Sequence, residues 1–147
     1  MIPGLENAEF LRFGQIHRNS YIHSPRLLLP TLQARKKPEV FFAGQLCGVE
    51  GYVESIATGL LAGLNAARLA LGMEPVSPPG STACGSLLNY ISYEGLEDFQ
   101  PANISFGLLG TPEGLKGVRD KKERRRIQVE DALARMKEWI ASLGDAP

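Results

Sequence analysis

Most of the features that would settle this chain's class at sight are scarce in its 147 residues. Two cysteines in unrelated contexts, Cys47 and Cys84, form neither a disulfide framework nor a cysteine-based zinc site, and no other metal-ligand pattern stands out. No apolar run approaches the roughly 20 residues that cross a bilayer, which argues against a membrane role. The opening MIPGLENAEF lacks the basic-then-apolar order of a secretory signal. No internal repeat and no low-complexity tract appears. The glycine fingerprint GxGxxG of a dinucleotide cradle is missing as well. What remains is ordinary: 44% hydrophobic and 22% charged residues, the balance of one globular domain able to bury a core. The expectation is a soluble, cytoplasmic protein of a reducing compartment.

A formal net charge of zero hides a segregation. Residues 40–115 carry one basic side chain, Arg68, against seven acidic ones. Residues 116–138 carry nine basic against five acidic. A chain polarised in this way can offer a polyanion a basic patch while staying neutral overall.

Alternation over Phe10–Ile16 predicts a strand, followed by a polar loop over 17–26. Leu32–Arg35 reads as a short strand and Lys36-Lys37-Pro38 as a turn. Val40–Ala43 is wholly apolar, like a strand buried in a parallel sheet. A helix is expected from near Gly51, with Val53, Ile56, Ala57, Leu60, Leu61, Leu64 and Leu71 as its apolar face and Gly59, Ala62, Gly63 and Ala66 permitting close packing. Gly72 and Pro75 end it. A short helix follows over about 82–92, and FQPANISFGLL (Phe99–Leu109) looks extended and irregular. The last helix runs from Lys121 to Leu143, with a stripe of Val129, Leu133, Met136, Ile140 and Leu143 flanked by Trp139.

The stretch FFAGQLCGVEGYVES passes from apolar strand through glycines into helix. A helix N-terminus presents unpaired N–H groups and about half a positive charge, which attract a phosphate or an electron-rich ring. Gly48 and Gly51 would let such a ligand approach the backbone. Alone, the pattern is common in plain tight turns. Its particular residues are more specific. FFAGQ followed by Gly48-Val49-Glu50-Gly51-Tyr52-Val53-Glu54-Ser55 resembles the last strand and helix of the FAD domain in flavoproteins that modify tRNA. Ile2–Leu28, with its H-R-N-S-Y string, Phe99–Leu109 and RDKKERRR (Arg119–Arg126) resemble, in the same order, the folate- and FAD-dependent tRNA (uracil-5-)-methyltransferase family. The likeness spans nearly the whole chain but only the C-terminal third of the family protein. The family's dinucleotide-binding strand and its nucleophilic cysteines have no counterpart here, so no catalytic residue is assigned.

The resemblance implies an α/β fold: the C-terminal part of a Rossmann-like, glutathione-reductase-type FAD domain over 1–72, a loop-rich extension over 73–115 and a basic helical segment over 116–147. It implies FAD contacts from Gly44, Gln45, Gly48, Val49, Glu50, Gly51 and Tyr52, although Glu50 and Tyr52 equally suit a helix cap. It implies that His17 stacks on the pterin of methylenetetrahydrofolate, with Arg18 and Asn19 beside it; His23 is read as a loop residue. NAD(P)H is the implied reductant. Arg119, Lys121, Lys122, Arg124, Arg125 and Arg126 are the expected tRNA contacts, against the plainer reading of a solvated helix face. Cys47 sits where a helix end could lower a thiol's pKa, but its context favours a packing residue.

The expected function is therefore a share in methylating C5 of the T-loop uridine. The chain would be a fragment, split-gene product or truncated frame, inactive alone and working with a partner chain that carries the missing parts. The rivals are a non-catalytic RNA-binding remnant and a piece of the related wobble-uridine flavoprotein. A sheet missing its neighbours would leave an apolar edge exposed and the isolated chain prone to self-association.

Overall fold

A computed structural model describes residues 3–9, 19–112, 115 and 117–144. The strand expected over Phe10–Ile16, and His17 and Arg18, lie outside the described residues. The order is α1 (Ser24–Leu27), β1 (Gln33–Ala34), β2 (Lys37–Phe41), a 3-10 turn (Gly44–Cys47), α2 (Tyr52–Ala70), α3 (Ala83–Ser92) and α4 (Lys121–Ser142). Among the described residues no helix is long and apolar enough to cross a membrane.

The parallel, buried strand expected at Val40–Ala43 is not what forms. β1 and β2 pair antiparallel as a two-stranded hairpin, Gln33 opposite Phe41 and Ala34 opposite Lys37. Lys37, Pro38 and Glu39 belong to β2 and lie exposed, so the strand cannot be buried on both faces. The turn is thereby shortened to Arg35-Lys36. The one parallel pairing described is an isolated bridge, Val49 with Ala102.

The core gathers Leu28, Leu32, Cys47, Val49, Leu61, Leu87, Leu88, Ile91 and Phe99. α3 is capped by Thr82, whose hydroxyl accepts from Gly85 N–H at 3.0 Å. Gly85 lies so close to the Pro78 and Pro79 carbonyls that a side chain there would collide with backbone. α2 starts at its N-cap Gly51 and ends before Gly72, whose φ of +73° suits the left-handed stop.

The face that α2 turns inward is not the expected one. Thr58, Leu61, Ala62 and Asn65 are buried, while Val53, Ile56, Leu60 and Leu71 are exposed. Asn65 is held by Val76 on both sides, donating to its carbonyl at 2.8 Å and accepting from its N–H at 2.8 Å, and it donates to Thr31 O at 3.0 Å. One side chain thus ties α2 to the loop before β1 and to the proline-rich loop after the helix. Satisfied polar groups hold this inner face at least as much as apolar contact does. In α2 all nine exposed residues are apolar apart from the Tyr52 hydroxyl, and Glu54, Ser55, Thr58, Asn65 and Arg68 all avoid full exposure.

α4 is capped by Asp120, which accepts from Glu123 N–H at 2.7 Å. Its buried residue is Ala132, and Trp139 packs against the core. The expected stripe is therefore rotated: Val129, Leu133 and Ile140 lie on the exposed side.

Candidate functional site

The turn between β2 and α2 is held by side chains from several directions. Gly44 N–H donates to Thr58 Oγ1 at 3.1 Å, Ser55 Oγ donates to Val49 O at 3.3 Å, and Ser24 Oγ donates to Cys47 O at 2.9 Å. Ala102 adds a backbone pair, accepting from Glu50 N–H at 3.2 Å and donating to Gly48 O at 2.9 Å. Gly44 and Gly48 take positive φ, +65° and +79°, which glycine adopts without strain.

These bonds decide which amides remain for a ligand. Gly44, Gly48, Val49 and Glu50 all spend their N–H groups inside the chain. The N–H groups of Gly51, Tyr52, Val53 and Glu54 have no internal acceptor among the described residues, as the first turn of a helix requires. The seven expected flavin contacts therefore divide: Gln45, Gly51 and Tyr52 keep N–H groups with no acceptor among the described residues, while those of Gly44, Gly48, Val49 and Glu50 hold the turn in shape. What approaches Gly48 is the Phe99 ring, which a Cβ would overlap. What approaches Gly51 is the Glu54 carboxylate, which also accepts from Ile104 N–H at 3.3 Å. Glu50 and Tyr52 lie exposed and make no cap.

Sequence reasoning passed over Thr58, Glu54 and Phe99. The available signal was polar residues at 58 and 65, two turns apart among the apolar residues of the middle of the helix. Phe99 gathers Tyr21, His23 and Tyr90 around it at ring separations of 5.9 to 6.0 Å, and His23 Nε2 lies 3.1 Å from Glu97 O. His23 is thus a structural residue. Asn19, the one expected folate contact that is described, is exposed.

Cys47 is fully buried, and burial pushes its thiol up to about 12, the reverse of nucleophile activation. Burial also raises the Cys84 thiol.

The basic segment brings five of its six expected residues onto α4, with Arg119 just before the cap. Arg126 is already committed, 2.6 Å from both Glu123 and Glu130. The hydrogen bond to Glu123 raises its pKa and draws that carboxyl down. Arg119, Lys121, Lys122, Arg124 and Arg125 make no ion pair among the described residues. Arg125 lies over the half-exposed Phe106 ring at 4.9 Å. Arg119, Lys121, Arg124 and Arg125 line an open cleft of about 560 Å³ with Phe106 and Gln128, and no acidic side chain is among its described lining. A larger groove, about 920 Å³, runs between α4 and Pro79–Ser81, and no expected site residue lines it. At the turn before α2, Gln45, Leu46, Glu50 and Tyr52 lie exposed.

Residues 1–74 match the Glucose inhibited division protein A family. The chain is 57% identical over 144 residues to the methylenetetrahydrofolate--tRNA-(uracil-5-)-methyltransferase TrmFO of Koribacter versatilis, covering 97% of this chain and 32% of that protein. It is 56% identical over 147 residues to the enzyme of the same name from Symbiobacterium thermophilum, covering 100% of this chain and 33% of that one. Aquifex aeolicus GidA, a solved structure, is 27% identical, with a TM-score of 0.48 over 78% of this chain and 20% of its own. A glycine turn leading into a helix with bare amides could hold an electron-rich ligand, and a cationic face could hold a polyanion. The chain belongs to the Glucose inhibited division protein A family. It spans about a third of the length of the curated relatives it matches, and those relatives carry the tRNA (uracil-5-)-methyltransferase name.

Proposed function

We propose that this chain supplies the C-terminal third of a folate- and FAD-dependent tRNA (uracil-5-)-methyltransferase and works in the cytoplasm. The observation that carries this reading is identity above half, along the whole chain, to relatives of that name. The structure fits the flavin in one respect, the unpaired amides of Gly51, Tyr52 and Val53 at the start of α2. A helix end of this kind favours negative charge on a bound heterocycle. Bound FAD would supply the electrons for methyl transfer, methylenetetrahydrofolate the carbon, and NAD(P)H the reducing equivalents.

This chain's own residues would do three things. Gly51 and Tyr52 would donate to the flavin, with Gln45 beside them and Gly44, Gly48, Val49 and Glu50 holding the turn in shape. Glu54, now lying over Gly51, would swing aside, its link to Ile104 being a single half-buried hydrogen bond of 3.3 Å. His17, Arg18 and Asn19 would receive the folate. Arg119, Lys121, Lys122, Arg124 and Arg125 would contact tRNA phosphates, while Arg126 would orient the helix through its two glutamates.

The test is reconstitution. Combined with the remaining two thirds of the Koribacter relative, the chain should retain FAD and convert the T-loop uridine of unmodified tRNA to ribothymidine. A complex that holds no flavin and modifies no uridine, yet still binds tRNA, would establish the RNA-binding module instead. The position of the Glu54 carboxylate is the observation that favours that second reading.

A further inference from the structure

The outer face of α2 is built opposite to its inner one. Tyr52 is 92% exposed, Val53 76%, Ile56 73% and Leu60 76%. Beside them lie Gly59 and Gly63, one helical turn apart and both exposed. A side chain at either glycine would meet nothing within 4 Å. Glycine weakens a helix interior, and nothing among the described residues needs these two to be small. A ridge of large apolar side chains beside a smooth glycine strip is the relief that a second packed element fits. It runs along a helix about 28 Å long.

We propose that this face is the docking surface for the remaining two thirds of the family protein, whether joined to this chain or supplied as a separate polypeptide. The inference rests on the reading that the chain works as part of the longer enzyme. Two observations select that occupant over a second copy of this chain. The curated relatives are about three times as long as the segment matched here, so most of the family protein lies beyond it. The face is also continuous with the turn that carries the free amides, because Tyr52 belongs to both. A second copy would bring only a duplicate of that turn. The missing two thirds brings different residues to it.

The experiment co-expresses the full chain with the polypeptide comprising the remaining two thirds of the Koribacter relative. The two should co-elute as a 1:1 complex. Ile56→Glu and Leu60→Glu alter fully outward positions and should each weaken the complex at least a hundredfold while leaving the circular dichroism of the chain unchanged. Gly59→Leu, which adds apolar area but fills the strip, should weaken it too, separating shape from simple hydrophobicity. Leu133→Glu, the same change on the exposed side of α4, should leave the complex intact. Absence of a complex, or one indifferent to both glutamates, overturns the proposal. So does a homodimer of the chain that Leu60→Glu dissolves and the longer polypeptide does not displace, for then the occupant is a second copy. A complex that Leu60→Glu breaks but that never holds flavin or methylates tRNA upholds the docking surface and removes only the methyltransferase reading.

Discussion

Exposed residues in α2 are apolar, whereas those in the first turns of α4 are nearly all charged. The two helices are of similar length, 19 and 22 residues, yet water meets them on opposite terms. α4 answers solvent with Arg126 between Glu123 and Glu130 and Arg135 near Asp131 and Glu138. Its Val129, Leu133 and Ile140 are interspersed among those charges. α2 has no such cover: its polar residues, Thr58 and Asn65 above all, point inward and hold loops. A helix whose inner face mixes Thr58 and Asn65 with Leu61 and Ala62, and whose exposed residues are all apolar, is half of an interface. A helix with paired charges and a cationic cleft is a finished surface that faces water or a polyanion.

The largest expected effect tests the inversion directly. Asn65→Ala removes the partners of Thr31 O, Val76 O and Val76 N–H and should cost about 3 kcal/mol. Leu60→Ala in the isolated chain should stay within about 0.5 kcal/mol, because the side chain is already in water. Urea midpoints at constant m-value give both numbers, and the reverse ranking would break the comparison. The second effect concerns the floor of the turn. The Cys47 thiol is raised by burial, so above its ordinary value of 9.0 the unfolded chain loses that proton while the folded one keeps it up to about 12. Stability should be unaffected by this group below about pH 9 and fall as pH rises through that window. Cys47→Ala should flatten the decline, and Cys47 should resist iodoacetamide at pH 8. The third effect is confined to α4. Arg124→Ala should reduce the slope of log affinity for tRNA against log salt by about 0.9, whereas Arg126→Ala should leave it unchanged, its charge being matched by two glutamates. Equal slopes would mean that the ion pairs do not decide which arginines meet RNA.

Element boundaries were legible because their signals are local. Gly51 starts α2, Gly72 stops it, Thr82 caps α3, and α4 begins at Lys121, each from residues within a turn of the boundary. Orientation was not legible, because it is set by distant partners. Helical periodicity marked Val53, Ile56 and Leu60 as one face, but assigning that face to the core assumed that the core lies within this chain. Two buried polar residues reversed the assignment, Asn65 through loops at Thr31 and Val76 and Thr58 through the turn at Gly44. At the turn, one requirement is carried by no local signal: Phe99, about fifty residues on, needs Gly48 bare. Val40 and Phe41 looked like a buried strand since apolarity does not tell an antiparallel hairpin from a parallel core. The apolar parallel-sheet edge that was expected does not form among the described residues; the exposed apolar residues lie on α2 instead.

The most direct measurement places a single reactive thiol on the disputed face. In the chain carrying Leu60→Cys and Cys84→Ser, with buried Cys47 retained, maleimide labelling should be rapid when the chain is alone. It should slow at least tenfold when the remaining two thirds of the Koribacter relative is present. Equal labelling rates in a complex shown to form would mean that α2's outer face stays in water, and the account of this helix as half of an interface would be wrong.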